Sequence, residues 1–240
     1  MTRLTTCPDG ETVARRAAAH VARALERARE ERGHAHLALS GGTTPARTYE
    51  LLGEEHDALG ETDLWLVDER CVPPEDPESN YLLVAETLLA RSPLPEERVH
   101  RMLGERGPRE GAELYAAELA RVLAPQGGLP VLDVAVLGIG PDGHVASLFP
   151  GAATLDAGEQ ALCLGVEDSP KPPPERITLS LAVLRAARGC LLIAEGSGKA
   201  DAINAMLGEP DRHVPASLLR RERLTVIVDD AAAPDGPPPG

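Results

Sequence analysis

One of the seven histidines lies in a glycine-rich segment, Gly138-Ile139-Gly140-Pro141-Asp142-Gly143-His144. Histidine is the usual general base near neutral pH, and a nearby carboxylate can orient its ring. The segment formally matches the G-x-G-x-x-G dinucleotide fingerprint, but Pro141 removes a backbone N–H group from a loop that would have to donate such groups. We therefore interpret it as a tight turn that presents His144 as a general base and Asp142 as the residue that orients it or caps the next turn.

A second candidate is the charged triplet Asp68-Glu69-Arg70, which directly follows an apolar run at residues 64–67. Charges at the end of a buried strand are costly unless they pair with each other or take part in binding or catalysis. Asp68 is an alternative to Asp142 as the partner of the histidine, and Arg70 is a candidate to face a developing oxyanion. An internal ion pair in a solvated turn is the structural alternative.

A third segment, Ser40-Gly41-Gly42-Thr43-Thr44, lies between a predicted strand and a predicted helix. Its glycines allow the backbone to approach an anion, its three hydroxyls add donors, and the following helix offers free N–H groups. The sequence therefore predicts a phosphate site here, with an ordinary N-capped turn as the alternative.

The two lysines are a further signal, because the other 22 of the 24 basic residues are arginine. Lys171 lies in a proline-rich loop that Arg176 follows, and Lys199 lies in a Gly-Ser-Gly-Lys segment just after a predicted strand. A compact ammonium group suits a phosphate. Ala200 follows Lys199, so the segment is not a Walker A loop, and chance retention of two lysines is the alternative explanation. The pattern does not decide which of Lys171, Arg176 and Lys199 contacts the phosphate.

The elements that carry these segments alternate between short apolar runs and amphipathic stretches. We predict strands at residues 36–39, 64–67, 131–137, 161–166, 176–179, 190–194 and 224–228, and helices at 11–32, 44–52, 79–91, 109–123, 181–187 and 197–207. This order indicates an α/β fold with a single-domain, doubly wound, mostly parallel sheet and helices on both faces, Rossmann-like in plan. Residues 1–230 form that domain, and residues 231–240 are a tail whose composition predicts disorder. In such sheets ligands bind beyond the carboxyl ends of the strands, and each segment described above follows a strand.

Composition excludes several classes of protein. The 240-residue chain has a net charge of −14 and only 2% aromatic residues, so nucleic-acid binding is not expected. No apolar run is long enough to span a membrane, and no signal peptide is evident.

Four widely spaced cysteines indicate reduced thiols and a cytoplasmic protein, for which we expect a monomer or a weak homo-oligomer. His34 and His36 have no third ligand nearby in the sequence, so we expect neither a metal site nor an organic cofactor.

Taken together, five motifs resemble the 6-phosphogluconolactonase family over residues 35–207, and they occur in the same order. They are Leu39-Ser-Gly-Gly-Thr-Thr-Pro45, Val67-Asp-Glu-Arg70 with Ser79-Asn-Tyr81, Gly138 to Gly151, Ser169-Pro-Lys171 with Arg176-Ile-Thr178, and Gly196-Ser-Gly-Lys199. That family belongs with glucosamine-6-phosphate deaminase and ribose-5-phosphate isomerase-like α/β proteins. The resemblance implies hydrolysis of 6-phospho-D-glucono-1,5-lactone, a small sugar-phosphate lactone, to 6-phosphogluconate in the oxidative pentose phosphate pathway.

Two other functions are possible. A glucosamine-6-phosphate deaminase-like isomerase shares the plan, but the resemblance implies a glutamate five residues after the histidine for ring opening, where this chain has Phe149. A non-catalytic sugar-phosphate sensor would use the same phosphate site. No basic helix-turn-helix segment precedes residue 35, as such a regulator would require.

Overall fold

A computed structural model of the chain describes residues 2–55, 59–123 and 128–234. These residues form ten strands: β1 (Arg3–Cys7), β2 (Ala35–Leu39), β3 (Thr62–Leu66), β4 (Asp68–Arg70), β5 (Val99–His100), β6 (Val134–Leu137), β7 (Cys163–Val166), β8 (Arg176–Leu179), β9 (Cys190–Ala194) and β10 (Leu224–Asp229). Seven of them form one sheet in the order β1-β10-β9-β6-β2-β3-β5, and every pairing in it is parallel.

The central strands of this sheet are covered on both faces. Every residue of β3, β6 and β9 is buried, as expected of strands that lie between two layers of helices. Leucine, valine, isoleucine and alanine make up most of the core, and the few aromatic side chains within it include Trp65, Tyr49 and Tyr115. The predicted doubly wound, mostly parallel α/β fold is confirmed.

The described residues also form six α-helices: α1 (Gly10–Arg32), α2 (Thr43–Glu54), α3 (Asn80–Val84), α4 (Pro108–Val122), α5 (Leu181–Ala186) and α6 (Ala200–Leu207). Asp9 caps α1 by accepting a hydrogen bond from the Thr12 N–H at 2.8 Å, and Gly33 ends it with a left-handed φ of 77°. Two predicted helices are less regular than expected. The helix predicted at 79–91 continues beyond α3 as a π-helical turn (Ala85–Leu89), and the one predicted at 197–207 begins with a 3₁₀ turn (Ser197–Lys199) before α6.

A second, smaller sheet corrects the sequence interpretation of residues 68–70. These residues were expected to form a loop, but they form β4 in an antiparallel sheet of order β4-β8-β7. The chain passes from the parallel sheet into this small sheet at Val67, whose N–H bonds to Leu39 O while its carbonyl accepts from Leu179 N–H. The pairing places Arg70 opposite Arg176 and Asp68 opposite Thr178.

The strand order creates a crevice between β2 and β6. After β2 the chain passes through α2 to β3, which pairs with β2 on the side away from β6. On its own far side, β6 pairs with β9. Adjacent strands whose connections diverge in this way leave an opening at their carboxyl ends, and ligands of open α/β sheets bind there. The loops that begin at Ser40 and Gly138 both start at this opening.

The first four residues of the predicted tail belong to the folded domain. Of the predicted tail, residues 231–234 follow β10 in a turn with Ala232 buried, and residues 235–240 lie outside the described residues. Cys7, Cys71, Cys163 and Cys190 are all free thiols. Across the three described ranges, no helix has the length and apolar character needed to cross a membrane.

Candidate active site

A cavity of about 330 Å³ lies at the carboxyl ends of β2, β6 and β9. This is the size range of small-molecule sites. Of the predicted site residues, all but Asp142 line it: Ser40, Gly41, Gly42, Thr43, Thr44, Asp68, Arg70, His144, Lys171, Arg176 and Lys199. Segments as far apart in the sequence as Ser40 and Lys199, 159 positions, therefore meet in one cavity.

His144 is held by Asp142 at the wall of this cavity. Its Nδ1 lies 2.6 Å from Asp142 Oδ1, so the second ring nitrogen, Nε2, is left to act on a ligand. The ring packs against Phe149 with its centroid 4.7 Å away, and only 16% of the side chain is exposed. A carboxylate bonded to one imidazole nitrogen fixes both the ring orientation and the tautomer.

The backbone of the turn makes room for this pair. A Cβ atom on Gly140 would lie 2.0 Å from His144 Nδ1 and 2.3 Å from Asp142 Oδ1, so no larger residue fits there without displacing the pair. Gly140 N–H also donates to His144 O at 2.9 Å and closes the turn. These contacts explain why the turn has glycine at position 140.

The surroundings of His144 favour the neutral form of its imidazole. Burial lowers the pKa of His144 below its ordinary value, although the hydrogen bond that the ring donates to Asp142 works in the opposite direction. For Asp142, burial alone would raise the pKa, but the hydrogen bond with His144 and the nearby ammonium of Lys171 bring the net shift below the usual range. Near neutral pH the pair is therefore a carboxylate beside a neutral ring, which is the form that accepts a proton.

Asp68 lies at the same cavity and has its own partners. Its Oδ2 accepts a hydrogen bond from Ser147 Oγ at 2.7 Å, and Asn80 Nδ2 donates to its backbone O at 2.9 Å and to Oδ1 at 3.3 Å. The sequence left open whether Asp68 or Asp142 contacts His144. The structure places Asp142 in contact with Nδ1, while Asp68 is held by Ser147 and Asn80.

Glu69 holds the polypeptide backbone around the site. It is buried, and its carboxylate accepts hydrogen bonds from the N–H groups of Arg70, Asn80 and Tyr81 at 2.7–2.8 Å, and from Ser79 Oγ at 3.0 Å. Burial raises its pKa in spite of these donors. This clamp fixes the start of α3 against β4.

The glycine-rich loop after β2 provides the expected anion-binding features. Gly42 immediately precedes α2 and has a φ of 113°, in the region that favours glycine. A Cβ atom on Gly41 would lie 1.8 Å from Asn80 Oδ1, so the loop packs directly against the residue that holds Asp68. Ser40 Oγ is buried and has no hydrogen-bond partner among the residues that the structure describes. An unpaired hydroxyl beside free helix N–H groups suits a phosphate oxygen.

The three predicted cations differ in their contacts. Arg176 is buried and donates to three carbonyl oxygens of the proline-rich loop, those of Lys171, Pro172 and Pro173, each at 3.1 Å. Lys199 Nζ donates to Ile139 O at 2.7 Å, and Lys171 Nζ lies 3.6 Å from Asp142 Oδ1. The pKa of Lys199 is lowered by burial and by the neighbouring charge of Lys171. An anion placed between the two ammonium groups would relieve that repulsion.

Asn80, Ser147 and Ala146 also contribute to the site, although they were not among the predicted residues. Asn80 and Ser147 lie within the quoted motifs, but their role as partners of Asp68 depends on contacts between distant segments. Ala146 lines the cavity with a φ of 50°, a left-handed conformation that is uncommon for a residue with a Cβ atom. Nothing in its residue type signals that conformation.

The chain is similar to known proteins along most of its length. A family model described as glucosamine-6-phosphate isomerases/6-phosphogluconolactonase matches residues 8–228. The 6-phosphogluconolactonase of Streptomyces coelicolor is 39% identical over 238 residues, which cover 94% of this chain and 91% of that protein. The human 6-phosphogluconolactonase is 40% identical over 179 residues, which cover 73% of this chain and 69% of the human protein.

Solved structures show the same fold. The 6-phosphogluconolactonase of Thermotoga maritima superposes with a TM-score of 0.84 at 27% identity, covering 95% of this chain and 99% of that one. The enzyme of the same name from Trypanosoma brucei gives 0.85 at 25% identity, with 97% of each chain covered. A monomeric glucosamine-6-phosphate deaminase gives 0.79 at 21% identity, covering 96% of this chain and 98% of that one, a similarity that concerns the fold alone.

Proposed function

The chain belongs to the glucosamine-6-phosphate isomerase/6-phosphogluconolactonase family, and from this premise we infer that it hydrolyses 6-phospho-D-glucono-1,5-lactone to 6-phospho-D-gluconate, the second step of the oxidative pentose phosphate pathway. One observation carries the inference: a neutral imidazole held by a carboxylate lines the same cavity as a glycine-rich helix start and two lysines. No cofactor takes part in the reaction that we propose.

The phosphate end of the substrate binds at the start of α2. Ser40, Thr43 and Thr44 supply hydroxyls, the helix supplies N–H groups, and Gly41 and Gly42 let the backbone approach. Lys199 and Lys171 contribute the charge that a dianion requires in a chain of net charge −14.

His144 performs the proton transfers. It takes a proton from a water molecule, and the resulting hydroxide attacks the lactone carbonyl to form a tetrahedral intermediate. When the intermediate collapses, the bond to the ring oxygen breaks, and the imidazolium returns the proton to that oxygen. Asp142 orients the ring and stabilises its cationic form, and Arg70 or a loop N–H group faces the developing oxyanion.

The chain lacks the carboxylate that the deaminase reaction would need. At position 149, where the family resemblance implies a glutamate for ring opening, Phe149 packs against the His144 ring. A phenyl ring cannot transfer a proton. Hydrolysis of a lactone requires only activated water, so the hydrolase reaction is favoured over isomerisation with deamination.

A substrate test separates the candidate functions. Purified protein mixed with the phosphorylated lactone at constant pH should consume base, because the product acid ionises. A deaminase acting on glucosamine 6-phosphate would release ammonia, and a sensor would do neither. Absence of base uptake above the spontaneous rate would contradict the proposed hydrolysis.

Replacing the histidine tests the catalytic assignment. We expect His144→Ala to lower kcat by ~10²–10⁴-fold, the usual contribution of a positioned acid–base group, with little change in phosphate-dependent binding. His213→Ala is the matched control, because His213 also lies 3.0 Å from an aspartate two residues before it but is exposed. Equal kcat values for the parent and His144→Ala would remove His144 from this role.

Lys199 is tested through binding. Lys199→Ala should raise KM more than it lowers kcat, because the ammonium binds a part of the substrate that does not react. Inorganic phosphate should also compete less well with substrate in this variant than in the parent. If phosphate inhibited both proteins equally, Lys199 would not be an anchor for the phosphate.

Arg176 acts through the loop that carries Lys171, since its Nε and Nη2 atoms already donate to three carbonyl oxygens. Arg176→Lys removes the planar donor set and should raise KM, as should Lys171→Ala. The double variant should be no worse than Lys171→Ala alone. Additive effects would mean that Arg176 contacts the phosphate independently.

We also propose that residues 1–230 form one cytoplasmic domain, active as a monomer or a weak homo-oligomer. Four free cysteines suit a reducing compartment. Sedimentation at micromolar concentration should give a mass close to that of one 25.3 kDa chain. A stable higher mass that persists on dilution would contradict this.

A further inference from the structure

A cluster of histidines and carboxylates lies at the amino ends of β2 and β3, at the opposite end of these strands from the cavity. His36 and Asp63 are direct partners in the parallel register of the two strands. His34 precedes His36 by two residues, and side chains two apart along an extended chain point to the same side. Strand register therefore brings Asp63 next to two histidines, the more distant of which, His34, is 29 positions away in the sequence.

Donor atoms from the three side chains converge on a small volume. His34 Nε2 lies 2.9 Å from Asp63 Oδ2, and His36 Nδ1 lies 3.4 Å from the same oxygen. One donor atom from each residue lies within 4.8 Å of the other two. Around a tetrahedral zinc ion with bonds of about 2.0–2.2 Å, neighbouring ligand atoms are about 3.3 Å apart. The two distances to Asp63, 2.9 and 3.4 Å, are close to that value, and the two histidine nitrogens lie within 4.8 Å of each other.

We propose that His34, His36 and Asp63 form a binding site for a divalent transition-metal ion of the zinc class. Two imidazoles and one carboxylate are ligands that zinc, cobalt and related ions prefer over magnesium or calcium. Three protein ligands leave a fourth position for water. The sequence suggested no metal site because His34-x-His36 has no third donor nearby, and β3 supplies the missing donor.

A second layer of groups supports the ligands. His100 Nε2 is buried and lies 3.5 Å from Asp63 Oδ1, the carboxylate oxygen that does not contact His34 or His36. The other nitrogen of His100 lies 2.9 Å from Glu118 Oε1, and its ring stacks on Trp65 at 3.9 Å. Partners of this kind orient the carboxylate of a metal site and tune its affinity.

An ion can reach the cluster. The side chains of His34 and His36 are 32% and 19% exposed, and both line an adjoining cavity of about 220 Å³. Arg32 and Arg188 also line that cavity, but both are paired with Asp133, at 2.8 Å and 3.3 Å, and Arg32 also contacts Glu31, so that two carboxylates offset the two guanidinium charges. The cavity provides a route of entry and space for a water ligand.

The alternative is a hydrogen-bonded cluster that only links β2 to β3. In that case His34 and Asp63 keep their 2.9 Å contact, and Trp65 Nε1, which lies 3.4 Å from His36 Nδ1, serves as the partner of that nitrogen. A structural cluster would affect stability without any dependence on metal. Metal titration of the full-length protein therefore distinguishes the two interpretations.

The experiment uses cobalt and zinc on protein freed of metal by a chelator and dialysis. One equivalent of Co²⁺ should give the intense visible absorption of a four-coordinate ion, and Zn²⁺ should displace it and raise Tm. His34→Gln, at the exposed edge of the cluster, should weaken Co²⁺ binding by at least about tenfold and abolish the zinc-dependent rise in Tm. Asp63→Asn should do the same.

Two controls exclude other sites. His213→Gln changes an exposed histidine beside Asp211 and should leave the cobalt titration unchanged. His144→Gln tests whether the ion binds at the cavity with Asp142 instead. The proposal is overturned if Co²⁺ gives no such spectrum, if His34→Gln binds as the parent does, or if binding is lost only in His144→Gln.

Discussion

The contact between Asp142 and His144 supports a quantitative prediction for Asp142→Asn. The 2.6 Å distance identifies a hydrogen bond that becomes charge-assisted when the ring is protonated in the transition state. Hydrogen bonds to charged groups contribute about 1.5–3 kcal/mol. At 1.36 kcal/mol per factor of ten, the loss corresponds to a decrease in kcat/KM of about 10- to 150-fold.

The pH dependence gives this prediction a signature that general damage would not produce. The parent kcat/KM should rise through a pKa below 6.5, because burial lowers the pKa of His144 and the enzyme needs the neutral ring. Asp142 raises that pKa, so its removal should lower the pKa further. The deficit of Asp142→Asn should therefore be largest where both rings are neutral, and it should shrink as the pH falls through the pKa of the parent, which then begins to lose its base.

The assay is base uptake at fixed pH, with spontaneous lactone hydrolysis subtracted at each point. Asp211→Asn is the control, because Asp211 makes the same contact with a histidine two residues later, at 3.0 Å, but on the exposed surface. Its kinetics should match those of the parent. A deficit for Asp142→Asn that is smaller than twofold, or that stays constant as the pH falls through the pKa seen in the parent profile, would refute the assigned role of Asp142.

Three shorter predictions concern the groups that support the site. In Gly140→Ala the new Cβ atom would lie 2.0 Å from His144 Nδ1, so we expect kcat to fall at least about tenfold while inhibition by inorganic phosphate is unchanged, as measured by steady-state kinetics. Glu69→Gln replaces a carboxylate that accepts four hydrogen bonds, and it should lower the free energy of unfolding in urea by about 1–3 kcal/mol. Ser147→Ala removes the hydroxyl that donates to the buried Asp68 carboxylate at 2.7 Å, and it should lower the free energy of unfolding by about 1.5–3 kcal/mol in the same measurement. An unchanged urea midpoint would show that this hydrogen bond does not stabilise the fold.

The proposed active site could be read from the sequence because each of its parts is a contiguous segment after a strand. Buried parallel strands cannot carry unpaired charge along their length, so polar groups are concentrated in the loops beyond their carboxyl ends. The loops after β2 and β6 are both rich in glycine, and that composition identifies them without knowledge of strand order. Their meeting at one crevice follows from the general rule for parallel sheets.

Other features could not be predicted, because they depend on the pairing of distant segments. Residues 68–70 have the composition of a charged turn, and only their pairing with β8 makes them a strand. The approach of Asp63 to His34 and His36 depends on the register of β2 and β3, which no single segment reveals. The choice between Asp142 and Asp68 as the partner of His144 likewise required the contacts that Ser147 makes with Asp68.

Asp142 connects the two ends of the proposed substrate site. Its Oδ1 lies 2.6 Å from His144 Nδ1 and 3.6 Å from Lys171 Nζ, and the charge of Lys171 lowers the pKa of His144. In the proposed complex, a phosphate on Lys171 would offset that charge and leave the carboxylate to the imidazole. Both changes would raise the pKa of the ring, since a nearby anion favours its protonated form. Binding of the phosphate end would then make His144 a stronger base when the water has to be deprotonated, so we expect the phosphate to contribute to turnover as well as to affinity.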